Sequence, residues 1–153
     1  MRVREIMSHQ PHTCRVHDSA KRAAEIMWEH DCGVVPVVDD DGRICGVVTD
    51  RDLCMAAYFQ GTTLAEIPVS AAMSREVIAC SPDDPIAHAE RLMGERQVHR
   101  LPVVDERQSP VGLLSLSDVA RRLGQSGTSR LQEGREFLET MAAICQPRAV
   151  THH

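Results

Sequence analysis

The sequence of 153 residues has few aromatic residues, no excess of positive charge and no long run of apolar residues. Its aromatic residues are Trp28, Tyr58, Phe59 and Phe137, and its net charge is −5. Both facts argue against a nucleic-acid partner, which requires cationic contacts to phosphates and aromatic platforms for bases. No stretch approaches the ~20 apolar residues that span a bilayer, and the first residues lack the apolar segment of a signal peptide. We therefore expect a cytoplasmic protein that binds neither nucleic acid nor membrane.

The sequence also shows no pattern that is typical of catalysis. No nucleophile–base motif, glycine-rich phosphate loop or paired-carboxylate arrangement stands out. The six cysteines are dispersed and form no Cys-x-x-Cys pair. In a cytosolic chain, such cysteines are mostly small buried residues. We therefore expect a protein that is not an enzyme.

An internal repeat with a spacing of 66 residues is the strongest pattern in the sequence. Residues 7–52 and 73–118 align without a gap, and 13 of the 46 positions are identical. Each unit is too small to bury a large core alone, so the repeat indicates two related units that pack together as one body. The identical positions include Met7 and Met73, Ser8 and Ser74, Cys14 and Cys80, Gly46 and Gly112, and Asp52 and Asp118.

Hydrophobic periodicity and turn signals predict the order β-α-β-β-α in each copy. The first strands are expected at 13–16 and 77–79, and a further helix is expected from Arg130 to Cys145. The sequence therefore predicts an α+β fold in which two repeats are related by a pseudo-twofold axis and are followed by a C-terminal helix. We assign 1–61 to the first repeat, 62–72 to a linker, 73–124 to the second repeat and 125–153 to a helical tail.

Two stretches in each copy carry a resemblance to a known family. Residues 33–39 with 46–52 closely resemble a cystathionine-β-synthase (CBS) domain, and residues 98–105 with 112–118 resemble a second one. The chain is thus similar to tandem CBS pairs, in which the two repeats pack sheet to sheet. Residues 142–147 also resemble the end of small stand-alone bacterial CBS-pair proteins of the hypoxic-response type.

The resemblance implies a regulatory module and not a catalyst. CBS pairs typically bind AMP, ADP, ATP or S-adenosylmethionine in clefts between their repeats, and they commonly form flat dimers. For this chain the resemblance implies an adenosine-containing ligand, no obligatory cofactor, a homodimer and an unidentified effector protein. The helix predicted in the tail would seal the dimer or dock the effector.

The segment Thr49-Asp50-Arg51-Asp52 contains the polar groups that a nucleotide needs, at the junction of a strand and a helix N-terminus. Asp52 would accept hydrogen bonds from the ribose, Thr49 would contact phosphate or a ribose hydroxyl, and Arg51 would donate to phosphate. The run Val34-Val35-Pro36 would form an apolar wall for the adenine. The alternative is that Thr49 and Asp52 simply cap the helix.

The second copy keeps the hydroxyl and the carboxylate as Ser115 and Asp118, with Ser117 in place of Arg51. It also has His99-Arg100 before its strand, in a pattern similar to the nucleotide-binding γ subunit of AMP-activated kinase. Arg51, His99 and Arg100 could therefore meet at one phosphate cluster, or Arg100 could be a surface side chain and His99 an ordinary helix-end histidine. The predicted binding residues are Thr13, Val34, Val35, Pro36, Thr49, Arg51, Asp52, Ala79, His99, Arg100, Leu101, Pro102, Ser115, Ser117 and Asp118.

A metal or redox sensor is a competing interpretation. His9, His12, Cys14 and His17 fall within nine residues, and imidazole with thiolate is a donor set that suits zinc. The spacing matches no established motif, so solvated histidines are the simpler reading. Cys14 and Cys80 occupy equivalent positions and could approach each other as a redox pair, or they could be two buried core residues. A ligand-free dimerisation scaffold is the remaining alternative.

Overall fold

A computed structural model of the chain describes residues 1–125 and 131–147. The strands are β1 (Ser8–His9), β2 (Cys14–Arg15), β3 (Val34–Val38), β4 (Ile44–Thr49), β5 (Arg100–Val104) and β6 (Pro110–Ser115). The helices are α1 (Ala20–Glu29), α2 (Asp50–Gln60), α3 (Val69–Ala72), α4 (Ile86–Arg96), α5 (Leu116–Gln125) and α6 (Leu131–Ile144). Short 3-10 turns form at Val3–Glu5 and Leu64–Glu66.

The central hairpin and the helix that follows it are built alike in both repeats. In the first repeat β3 pairs antiparallel with β4, and α2 begins directly after β4. Gly61 ends α2 with a φ of 63°, a left-handed conformation that glycine adopts without steric cost. In the second repeat β5 pairs antiparallel with β6, and α5 follows. These elements confirm the α+β fold that the sequence predicts.

The first segment of each repeat packs on the other repeat. Strand β1 pairs with β6, which gives a sheet in the order β1-β6-β5. In the symmetric position Ser74 bridges to Val47 of β4. Val3 is buried in the core of the second repeat, whereas Val69 is buried in the core of the first. The two repeats are therefore joined by an exchange of short segments, and residues 64–74 are structured parts of the first core.

This exchange explains two of the repeated residue pairs. A Cβ atom at Gly46 would lie 2.5 Å from Sδ of Met73, and one at Gly112 would lie 2.6 Å from Sδ of Met7. Real Cβ atoms do not approach other atoms so closely. Glycine is needed in β4 and in β6 because a Cβ there would also lie 3.0 Å from the carbonyl oxygen of Ser74 or 2.9 Å from that of Ser8, and these backbone atoms cannot rotate away as a methionine side chain can.

Two expectations about the first strands of the repeats are corrected. Residues 77–79 form no strand, because within residues 77–80 it is Cys80 that makes the backbone hydrogen bonds to the edge of β5, through Pro102 and Val104. Cys14 and Cys80 do not approach each other, since each is buried in the separate hydrophobic core of its own half. Burial raises the pKa of Cys14 to about 11 and that of Cys80 to about 12, so both thiols stay protonated near neutral pH.

The C-terminal helix α6 packs against α4 and the second core. Ile144 is buried in that core. A Cβ at Gly94 of α4 would lie 3.4 Å from the Cβ of Ala143, so the two helices are in close contact. Parts of the predicted tail, residues 126–130 and 148–153, lie outside the described residues. Among the helices that are described, none has the length and apolar character needed to cross a membrane.

Candidate functional site

A cleft with a cavity volume of about 660 Å³ lies between the two repeats. One wall comes from β3, β4 and the start of α2, and the other comes from residues 74–78 and from the turn that joins α4 to β5. The segment exchange creates this second wall, because it places the chain after Ser74 beside β4. The lining residues are Gly33, Val34, Val47, Thr49, Asp50, Arg51, Asp52, Ser74, Glu76, Ile78, Arg96, Gln97, Val98, His99, Arg100 and Pro102.

The N-terminus of α2 supplies the polar groups of the first wall. Thr49 and Asp52 form a capping box: Asp52 N donates to Thr49 Oγ1 at 3.1 Å, and Thr49 N donates to Asp52 Oδ2 at 2.8 Å. The capping box that the sequence predicts as an alternative is therefore present. Its two hydrogen bonds hold the Asp52 carboxylate at the edge of the cleft. Among the described residues Asp52 Oδ1 has no hydrogen-bond partner, so it remains available to a hydroxyl group.

Basic side chains from both repeats line the cleft. Arg51 of α2 lines one side, and Arg96, His99 and Arg100 line the other. Arg96 is paired with Glu76 at 2.9 Å. The Arg100 guanidinium passes so close to Gly33 that a Cβ there would lie 3.3 Å from its Nη1 atom. The structure thus brings together the three basic residues that the sequence proposed for a phosphate cluster, with the α2 N-terminus beside them.

An apolar strip also lines the cleft. It consists of Val34, Val47, Ile78, Val98 and Pro102. An apolar slot beside a few convergent polar groups is the usual form of a small-molecule site. The strip has the chemical character that a planar base requires.

Several residues that the sequence assigned to the site do not line this cleft. Val35 and Leu101 are buried in the first and second cores, because alternate residues of a strand point to opposite faces. Pro36 is buried within β3, where it pairs with Val47. Thr13 and Ala79 are half-buried outside the lining. The predicted adenine wall is therefore wrong in part, and Val34 is its one member in the cleft.

The equivalent residues of the second repeat are arranged differently. Ser115 and Asp118 cap α5, with the hydroxyl of Ser115 donating to Asp118 Oδ2 at 2.6 Å. Arg121 forms an ion pair with the other oxygen of Asp118. Ser117 is exposed. Both oxygens of this carboxylate already have partners, whereas Asp52 of the first repeat keeps one oxygen available.

Sequence reasoning missed the cleft residues that lie outside the signature segments. Ser74 belongs to the second Met-Ser pair, Glu76 and Ile78 follow it, and Arg96 and Gln97 lie where α4 ends. The repeated Met-Ser pair and the repeated glycine were visible in the sequence. Nothing in the sequence, however, shows that the methionines and the glycines are in contact across the two repeats, and this contact is what places residues 74–78 beside β4.

The four candidate metal ligands do not converge. Cys14 is buried in the first core, and His17 is exposed with its Nε2 3.7 Å from Asp40. His9 lies on the exposed strand β1, while His12 stacks on His30 with ring centroids 3.4 Å apart. Within residues 1–125 and 131–147, no three His, Cys, Asp or Glu side chains are grouped so that they could hold a metal ion.

Comparison with known proteins places the chain in one family. The family model for the CBS domain matches residues 3–58 and again residues 66–125. CBS domain-containing protein YhcV of Bacillus subtilis is 35% identical over 118 residues, which cover 77% of this chain and 82% of that protein. Hypoxic response protein 1 of Mycobacterium tuberculosis is 28% identical over 148 residues, which cover 97% of this chain and 96% of that protein.

Solved structures agree with this assignment. The CBS domain pair of protein MJ0100, in complex with 5′-methylthioadenosine and S-adenosylmethionine, is 30% identical with a TM-score of 0.72, covering 82% of this chain and 97% of that chain. CBSX2 in complex with AMP is 27% identical with a TM-score of 0.71, covering 81% and 96%. Hypoxic Response Protein I with two coordinated zinc ions is 29% identical with a TM-score of 0.72, covering 79% and 98%. The chain therefore belongs to the CBS-domain family and contains the two CBS domains of a tandem pair.

Proposed function

We propose that this protein is a non-catalytic regulatory module that binds an adenosine nucleotide in the cleft between its repeats and signals occupancy to a partner protein. The observation that carries the proposal is that Asp52, the α2 N-terminus and the basic side chains of Arg51, His99 and Arg100 line one cleft with an apolar strip. The adenosine ligands bound by the CBS pairs of MJ0100 and CBSX2 support it.

Each part of the cleft suits one part of such a ligand. Asp52 Oδ1 would accept hydrogen bonds from the ribose hydroxyls, and Val34, Ile78 and Val98 would contact the base. Arg51 and Arg100 would bind the phosphate beside the N-terminus of α2. Since these basic groups repel the sulfonium charge of S-adenosylmethionine, the proposal favours AMP, ADP or ATP over that ligand.

One nucleotide per chain is part of the proposal. In the second repeat, a ribose would have to displace Arg121 from Asp118 before it could reach that carboxylate. Breaking a charge-assisted contact on a buried carboxylate costs free energy. Binding at Asp52 of the first repeat carries no such cost. The first cleft should therefore fill alone at moderate concentrations.

A cytoplasmic homodimer completes the proposal. Trp28 is 89% exposed, and Tyr58 and Phe59 are also largely exposed on α2. Large exposed aromatic side chains are typical of surfaces that become buried on association. We propose that a second copy of the chain covers these aromatic side chains. The effector protein then recognises the nucleotide-bound dimer.

Replacing Arg100 with alanine should weaken AMP binding at least tenfold. The change removes a cationic donor from the phosphate side of the cleft, and a hydrogen bond to a charged group contributes roughly 1.5–3 kcal/mol. Isothermal titration with AMP, ADP, ATP and S-adenosylmethionine measures the effect and ranks the ligands. Arg107→Ala is the matched control, since Arg107 is exposed and does not line the cleft. Equal affinities of the two variants would remove Arg100 from the site.

A further inference from the structure

The turn between α4 and β5 contacts both the cleft and the C-terminal helix. Gln97, the residue after α4, lines the cleft together with Arg96 and Val98. Its Nε2 atom donates to the carbonyl oxygen of Ala143 at 3.3 Å and to that of Gln146 at 3.1 Å. One side chain thus lies between the proposed ligand site and the end of α6.

The backbone of Gln97 is held in an uncommon conformation. Its φ of 52° and ψ of 45° are left-handed, which costs a non-glycine residue of order 1 kcal/mol. The equivalent residue of the first repeat, Asp31, has a φ of 48° and is exposed. The left-handed turn is therefore a property of both repeats, whereas the hydrogen bonds to α6 belong to the glutamine of the second.

Gln97 donates to the carbonyl of Ala143 in the last turn of α6, which also accepts from Gln146 N at 3.3 Å, and to the carbonyl of Gln146 just beyond the helix. The α6 docking surface also has an apolar part, with Ile144 buried in the second core and Ala143 against Gly94. Loss of the Gln97 contacts would leave α6 attached by this apolar surface and would weaken its last turn.

We propose that Gln97 is a positioning residue that couples nucleotide binding in the cleft to the docking of α6, which makes α6 the output element of the module. This inference rests on the proposed function. A phosphate bound by Arg100 and His99 fixes the turn that carries Gln97, so the amide is held in place for Ala143 and Gln146. The ligand favours docked α6, and docked α6 strengthens ligand binding by the same factor.

Hydrogen–deuterium exchange of the amides at 140–146 tests this coupling in the full chain, with and without saturating AMP. In the wild type, AMP should slow this exchange about fivefold, the lower end of common coupling strengths. Gln97→Gly keeps the left-handed backbone and removes the side chain, and it should abolish the response of α6 to AMP. Asp31→Gly makes the same change in the first repeat and should leave the response intact.

A variant in α6, on the other side of its contact with Gln97, tests whether the docking of α6 strengthens AMP binding in return. Ile144→Ala weakens the docking of α6 without touching the cleft, and it should weaken AMP binding by about fivefold. AMP binding without any effect on exchange at 140–146 would overturn the coupling and leave the proposed function standing. A response that persists in Gln97→Gly would also overturn it. Absence of AMP binding by the wild type would overturn both.

Discussion

Replacement of Gly112 by valine is expected to lower the free energy of unfolding by about 3 kcal/mol, the upper part of the usual range for an overpacked core. A Cβ at this position would lie 2.6 Å from Sδ of Met7 and 2.9 Å from the carbonyl oxygen of Ser8. The methionine can rotate away, but Ser8 is paired with β6 and its backbone cannot move without breaking that pairing. Chemical denaturation of the wild type and of Gly112→Val measures the difference in the free energy of unfolding.

A double-mutant cycle makes this test specific for the segment exchange. In Gly112→Ala the added methyl group meets Met7, so Met7→Ala should recover part of the lost stability and the two effects should not add. Gly134→Ala is the control: nothing lies within 4 Å of a Cβ at that position of α6, and alanine should stabilise the helix by up to about 1 kcal/mol. Strict additivity of Gly112→Ala and Met7→Ala would contradict the packing of the first segment on the second repeat.

Replacement of Glu90 by glutamine should stabilise the protein at pH 8 by about 3 kcal/mol and change little at pH 4.5. Glu90 of α4 is 5% exposed, and its Oε1 atom is buried with no hydrogen-bond partner among the described residues. Burial, and then the charges of Glu136 and Glu133 on α6, raise the pKa of Glu90 from 4.5 to about 7. One pKa unit corresponds to about 1.4 kcal/mol.

The sign of this pH dependence follows from proton binding. Between pH 4.5 and 7 the folded protein holds a proton on Glu90 that the unfolded chain has lost. Stability therefore falls as the pH rises through this window, and above pH 7 the ionised side chain opposes the docking of α6. Thermal unfolding from pH 4.5 to 8.5 measures the effect, with Glu95→Gln as a control because Glu95 is exposed beside Arg91. A variant that gains no stability at pH 8 would contradict this account of Glu90.

The sequence was sufficient for features that depend on neighbouring residues. The start of α2 could be read from Thr49 and Asp52, because a capping box forms within four residues. Its end could be read from Gly61. The hairpins of both repeats likewise follow from alternating apolar residues around a turn.

Features that depend on contacts between the repeats could not be read in the same way. Nothing local shows that Met73 lies against Gly46, or that Ile78 lines the cleft instead of extending a strand. Val35 and Pro36 were assigned to the cleft because the run is uniformly apolar, so no alternation in the sequence distinguished its core face from its cleft face. The equivalent carboxylates Asp52 and Asp118 differ because Arg121 stands where the first repeat has Met55.

That difference between the carboxylates gives the most direct test of the proposed nucleotide site. Isothermal titration with AMP should be made on the wild type, Asp52→Ala and Asp118→Ala, which remove the capping carboxylates of α2 and α5. Loss of a cap costs both variants about 1 kcal/mol of stability, so a difference in binding reports on the cleft. We expect one AMP per chain, loss of binding in Asp52→Ala and retention in Asp118→Ala. A folded wild type that gives no heat with AMP, or equal affinities of the two variants, would contradict nucleotide binding at the first repeat.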